Sequence, residues 1–144
     1  MTAQLEQAKR GRMTPQIEAV ARAEGIDPGT LLSRVASAEA VVMCRGGRAV
    51  GIGRGLGTKV NVNIGTSPSR IDPDEEVRKA VIAERYGADT ITDLSTGGDI
   101  EAIRQRVFQA TTVPITTVPI YQTAAQKGIG SMTADDILAT IAAH

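Results

Sequence analysis

Asn61 and Asn63 alternate with Val60, Val62 and Ile64 in a run that otherwise reads as a β-strand. Asn is depleted in strands, and strand side chains two residues apart point the same way, so this run sets two amides side by side. They either face solvent on an edge strand or face an enclosed space in which a bound polar ligand supplies their partners. Asp93 closes a second β-branched run and poses the same choice. Its carboxylate holds a ligand hydroxyl or amine, or it locks neighbouring N–H groups. After it, Ser95, Thr96, Gly97 and Gly98 lead to Asp99 and a helix N-terminus, where free amides favour an anion. The plainer reading is a tight turn with Asp99 as the helix cap, and the Asp99 carboxylate itself repels an anion. Tyr121 is one of only three aromatic residues and either covers a planar substrate or packs into the core.

Some spacings invite a motif and fail it. Glycines recur from Arg45 to Gly57, but the phosphate-loop order needs Lys directly after the last Gly, and here Thr58 intervenes before Lys59. A dinucleotide fingerprint needs a helix after its glycines, whereas these lead into a strand. The stretch is expected to form turns or a loose hairpin that connects two regions. Lys59 begins its strand and so points to the wrong rim for an isomerase or aldolase base.

Composition narrows the chemistry further. The 144 residues carry 16 basic and 16 acidic side chains, with 2% aromatics, one Cys and one His. Zero net charge and few aromatics give neither a footprint for phosphate backbones nor a stacking platform, which argues against nucleic acid. One Cys and one His cannot build a thiolate cage or a zinc site, so no metal ligand is assigned within the chain. No apolar run approaches signal-peptide or membrane-span length, which reads as a soluble cytoplasmic chain without a membrane partner.

The elements that must position these residues fall into a helical head with a glycine-rich connection, residues 1–57, and an alternating strand and helix body, residues 58–144. In the head, Thr14, Pro15 and Glu18 signal one helix start, and Pro28 and Thr30 precede another. The body repeats strand, turn and amphipathic helix three times. The strands are Thr58 to Ile64, Asp89 to Leu94 and Val113 to Tyr121. The helices include one capped by Asp72 and Pro73, carrying Val77, Ala80, Val81 and Tyr86, and one capped by Asp99. Ile100, Ile103, Val107 and Phe108 share one face of the latter, with Arg104 and Gln105 on another; the last helix runs from Met132 to Ala143. This order demands parallel pairing in an α/β fold, and it gathers the loops Gly65 to Arg70, Ser95 to Asp99 and Gln122 to Gly130 on one face. Three parallel strands are too few to close, so the chain is expected to be an excerpt of a longer polypeptide or to complete its sheet with a partner.

Read together, KVNVNIGTS (Lys59 to Ser67), GADTITDLSTGGDI (Gly87 to Ile100) and TTVPIYQTA (Thr116 to Ala124) resemble the phosphomethylpyrimidine synthases of thiamine biosynthesis, the ThiC family of radical S-adenosylmethionine enzymes. The head segments QLEQAKRG and TPQIEAVARAEGI, and the phrase VGIGRGLGTKV, extend the similarity over nearly the whole chain. The resemblance implies a (β/α)8 barrel of TIM type, of which this chain supplies the N-terminal helices and about the first three βα units. It also implies a lyase that rearranges aminoimidazole ribotide into hydroxymethylpyrimidine phosphate, using S-adenosylmethionine, a 4Fe–4S cluster and a zinc site whose ligands all lie outside this chain. A homodimer is implied for the full-length protein. On the same pattern Asn63, Thr92 and Tyr121 bind the substrate, with Ser67, Asp93, Ser95, Thr96, Gly97 and Gly98 as adjoining candidates. The chain departs from the pattern in carrying Thr92 where the family usually has Met, and in its short stretch from Cys44 to Ala49. A sister group, the 5-hydroxybenzimidazole synthases that make a cobalamin lower ligand from the same ribotide, is the alternative. A truncated, non-catalytic binding or assembly module is the alternative of another class, and the isolated chain is expected to be inactive.

Overall fold

The structure, a computed structural model, describes residues 3–144 and divides into two compact units, Met1–Lys59 and Val60–His144. In the first, α1 (Gln4–Lys9), α2 (Pro15–Glu24) and α3 (Pro28–Ala36) precede a hairpin of β1 (Ala40–Arg45) and β2 (Arg48–Gly53). The expected starts at Thr14 and Pro28 hold: the Thr14 side chain accepts from the Ile17 amide at 3.2 Å, and before Pro28 the cap is Asp27, which accepts from the Thr30 amide at 2.7 Å, each helix with Pro in its first turn. Ile17, Val20, Ala21, Leu31, Val35, Ala40 and Val42 form the buried core of this unit. The glycine-rich stretch corrects the expectation of a loose connection. Its first part is a regular antiparallel ladder in which Arg45 pairs with Arg48 across Gly46 and Gly47, because a two-residue glycine turn matches the twist of paired strands. Lys59 lies beyond the hairpin, paired with Glu24 at 2.7 Å.

The second unit runs β3 (Asn61–Ile64), α4 (Pro73–Arg85), β4 (Thr90–Asp93), α5 (Ile100–Ala110), β5 (Ile115–Thr117), α6 (Pro119–Lys127) and α7 (Ala134–Ala143). The three strands pair in parallel in the order β3-β4-β5, as the strand and helix alternation demands. The sheet is open, a small α/β layer without closure into a barrel. Val62, Ile64, Ile91 and Ile115 pack with Val77, Ala80 and Ala83 of α4 and Val107 of α5, so this sheet face is covered by helices and apolar up to its C-terminal end. Asp72 caps α4 and Asp99 caps α5 through the Glu75 and Ala102 amides, both at 3.0 Å. Among the described residues no helix is long and apolar enough to cross a membrane.

Several expected boundaries move. The first strand begins at Asn61 rather than Thr58, because β4 begins only at Thr90 and Val60 instead receives Asp89 Oδ2 on its amide at 2.7 Å. Val81 on α4 and Phe108 on α5 are exposed, and Tyr86, placed in the helix by its sequence, is instead the C-cap of α4 and 81% exposed. The largest correction concerns the third strand. It stops at Thr117, and Pro119 opens α6, so Tyr121 lies in a helix and the expected loop from Gln122 is mostly helical. Proline at the first helical position needs no N–H partner, and the preceding Val118 is kept out of the helical region at φ −120° and ψ 85°.

Candidate functional site

The parallel register sets Asn61 beside Thr90, Asn63 beside Thr92, and Thr92 beside Thr116. Alternation therefore places all five on the sheet face opposite the helix-packed isoleucines. They satisfy one another. The Asn61 carbonyl oxygen accepts from the Thr90 and Thr92 hydroxyls, each at 2.9 Å, and its Nδ2 donates to the Asn63 carbonyl at 2.9 Å. The Thr92 hydroxyl stands 2.7 Å from that of Thr116. Its single proton goes to Asn61, so Thr92 accepts from Thr116, whose hydroxyl takes this contact over the longer one of 3.4 Å to the Ile91 carbonyl. The outcome is a neutral ladder across three strands whose outermost member, Asn63, has an amide nitrogen with no partner among the described residues.

Asp93 belongs to the other face. Its side chain is 1% exposed and meets the Arg104 guanidinium Nε at 3.3 Å, while Oδ1 accepts from the Ser95 amide at 2.9 Å and the Ser95 hydroxyl at 2.6 Å. Arg104 continues to Gln122 Oε1 at 2.6 Å, which also receives His144 Nε2 at 2.9 Å; His144 Nδ1 then meets the Thr117 hydroxyl at 2.7 Å. Since the Gln122 oxygen can only accept, His144 Nε2 donates. Burial first, and then the Arg104 charge, hold the imidazole below its ordinary pKa, against the opposing pull of Asp93 and Glu101.

Between these faces lies the rim formed by the loops after β3 and β4, which are stitched together. Ser95 Oγ receives the Thr66 amide at 3.1 Å, Thr66 Oγ1 donates to the Gly97 carbonyl at 2.6 Å, and the Thr96 amide donates to the Thr66 carbonyl at 2.9 Å. Two glycines permit this approach. A Cβ on Gly97 would come within 2.5 Å of the Ser67 carbonyl carbon, and one on Gly65, where φ is +145°, within 2.6 Å of the Ser95 amide nitrogen. The glycines after β4 thus serve loop contact. Ser67 closes a small turn with Arg70 and its hydroxyl meets that of Ser69 at 2.9 Å.

The expected site residues therefore divide by place. Asn63 and Thr92 are neighbours on the open face; Ser67, Ser95, Thr96, Gly97 and Gly98 line the interlocked loops; Asp93 sits behind the sheet with Arg104. Tyr121 follows the C-terminal end of β5, 52% exposed in the first turn of α6. Sequence reasoning passed over Thr90 and Thr116, and it set Arg104 on the polar side of its helix. The alternation of Thr90 with Ile91 and Thr92 was a usable signal for the first.

Similarity to known proteins says which family carries this sheet. The sequence profile of the Radical SAM ThiC family matches residues 3–144. The chain belongs to the radical SAM ThiC family. It is 44% identical to phosphomethylpyrimidine synthase 2 of Methanosarcina barkeri and 46% identical to phosphomethylpyrimidine synthase 1 of Methanosarcina mazei, over 97% of this chain and 34% of each relative. It is 43% identical to a phosphomethylpyrimidine synthase of Thermus thermophilus over 98% of this chain and 34% of the relative. The chain thus spans about a third of the length of the curated relatives it matches. Radical SAM membership implies S-adenosylmethionine and a 4Fe–4S cluster for the family, and these residues do not fit the cluster. Cys44, the one cysteine, is exposed in β1, and such clusters are held by several thiolates. Among the described residues no group of three or more His, Cys, Asp or Glu could hold a metal ion.

Proposed function

We propose that this chain is the substrate-binding N-terminal part of a radical S-adenosylmethionine carbon–carbon lyase that converts aminoimidazole ribotide into the thiamine pyrimidine. The observation that carries it is the open sheet face. Three parallel strands of a ThiC-family chain present Asn63 and Thr92 side by side, while the opposite face is packed by helices, which is how one wall of a (β/α)8 barrel divides lumen from exterior. In this reading the cluster and zinc ligands come from outside the 144 residues, the enzyme is cytoplasmic, and the full-length protein is a homodimer. Ser67 and the Ser95 to Gly98 loop border the ribotide, with Tyr121 at the same strand-end rim. Asp93 supports that loop from behind through Ser95.

Calorimetric titration of the natural-length protein with aminoimidazole ribotide tests the reading. Asn63→Ala removes the unpartnered amide and is expected to weaken binding about tenfold, the cost of one hydrogen bond lost in a desolvated site. Tyr121→Phe measures the phenol's share. Undiminished affinity in Asn63→Ala removes the assignment. The alternative product is 5-hydroxybenzimidazole, kept open because Thr92 puts a hydroxyl, bonded to Asn61 and Thr116, where the family resemblance implies a thioether. Product analysis of the natural-length enzyme and its Thr92→Met variant decides between them.

A further inference from the structure

We propose that Asn61 is a positioning residue that fixes the Asn63 side chain so that it offers N–H donors, and that the ligand group received there is a hydrogen-bond acceptor. This deepens the substrate reading above and rests on it for the ligand's identity.

The contacts made by the two ends of the Asn61 amide carry the orientation. Asn61 Oδ1 accepts from two hydroxyls, Thr90 and Thr92, at 2.9 Å each, which fills both lone pairs of an amide oxygen. Its Nδ2 is thereby turned to Asn63, where it meets Oδ1 at 2.9 Å. With its oxygen engaged, Asn63 presents the nitrogen edge and both its hydrogens. Thr116 completes the arrangement: its hydroxyl stands 2.7 Å from that of Thr92 and 3.4 Å from the Ile91 carbonyl, and donation along the shorter contact keeps the Thr92 proton on Asn61. Thr90 is buried at 3% exposure, so the far end of the ladder is anchored while Asn63 is open. A donor pair of this kind matches an unprotonated ring nitrogen or a ribose oxygen, and it rejects a group that can only donate.

The opposite orientation is physically available. If Asn61 turned its amide to the threonines and its oxygen to Asn63, the whole ladder would reverse and Asn63 would present its oxygen. Asn61→Asp enforces that reversal, because a carboxylate can only accept: it keeps the two threonine bonds and takes a hydrogen from Asn63.

Side-chain amide hydrogen exchange on the ¹⁵N-labelled natural-length protein, without ligand, reads the orientation directly. The Asn63 amide is expected to exchange at the rate of a free amide in the wild type and about tenfold more slowly in Asn61→Asp. An Asn63 amide already protected in the wild type, or unaltered in Asn61→Asp, overturns the proposal. With aminoimidazole ribotide as the probe, Asn61→Asp is expected to weaken binding about tenfold, as Asn63→Ala does. Adding Asn61→Asp to Asn63→Ala is expected to cost no further affinity, since Asn61 acts through Asn63. Multiplying losses in the double variant overturn the positioning role, because a merely structural effect would persist without Asn63. Should the wild type fail to bind the ribotide, the substrate reading falls while the exchange measurement still decides the ladder's direction. Asn61→Leu, which cannot hold either orientation, guards against misfolding of the carboxylate variant and is expected to leave Asn63 unprotected with weakened binding.

Discussion

The two faces of one small sheet carry two polar networks of opposite character. Behind β4, Asp93 and Arg104 form a charged pair sealed from water, with Asp93 1% and Arg104 12% exposed. In front of it, one residue away in sequence, Thr92 belongs to a neutral ladder of amides and hydroxyls, open at Asn63. A buried charge tolerates no loose ends, since its partner cannot be removed without stranding it in a low-dielectric setting. A neutral, half-exposed ladder can exchange a bond with water for a bond with a ligand at little cost. The contrast teaches that residue type alone does not mark a ligand site. The more strongly polar network here is the one that holds the structure.

The most severe way to break that contrast is Asp93→Asn. It removes the countercharge of Arg104 and weakens the acceptor that takes both the Ser95 amide and hydroxyl. The expected loss of stability is about 3 kcal/mol, read as a shift in urea midpoint at constant slope. Asn63→Ala, on the open face, is expected to move the same midpoint by less than about 0.5 kcal/mol. If Asp93→Asn instead left the midpoint in place and abolished ribotide binding, the charged face would be the ligand face and the division would be reversed.

A smaller effect is expected from Gly97→Ala, which probes the rim joining the two faces. The added methyl meets the backbone of Ser67 and Pro68 at 2.5 and 2.7 Å, and backbone cannot swing aside as a flexible side chain can. The loops after β3 and β4 must part, breaking the Thr66 to Gly97 bond of 2.6 Å. About 2 kcal/mol of destabilisation follows. Gly128→Ala supplies the contrast, because its Cβ meets nothing within 4 Å and only its φ of +81° is strained. A Gly97→Ala protein as stable as the wild type would mean that the rim does not depend on this close approach.

Local chemistry was readable in advance wherever a residue acts on its own neighbours. Thr14, Asp72 and Asp99 cap the helices that their spacing announces, and the Asn61 and Asn63 alternation correctly put two amides on one face. What depends on a distant strand or loop was not readable. The side taken by Asp93 follows from the register with β3 and β5 and from a cation on α5, and Gly97 is small because of Ser67, far back along the chain. Tyr121 is the instructive middle case. The β-branched run Ile115 to Val118 reads as a strand, but Pro119 directly after it carries both a strand-breaking and a helix-starting signal, and the helix start wins.

The finest distinction between the faces is expected from pH, because only the charged network ends in a group that titrates near neutrality. The His144 imidazole donates to Gln122 and, in its neutral form, accepts at Nδ1 from the Thr117 hydroxyl. Burial and the Arg104 charge lower its folded-state pKa, Asp93 and Glu101 opposing. The folded chain therefore binds this proton less readily than the unfolded chain. Its contribution to stability is fully present above the ordinary imidazole pKa and is lost as pH falls through that value toward the lower folded one. Urea midpoints of the wild type are expected to fall slightly between about pH 7.5 and about pH 5.5. His144→Gln keeps a side-chain amide beside Gln122 and removes the titration, so the slope should flatten. Asn63→Ala should leave the slope unchanged, since the open ladder holds no ionisable group. A wild-type midpoint that rose over the same interval would reverse the sign and show that Asp93 and Glu101, rather than burial and Arg104, govern the imidazole.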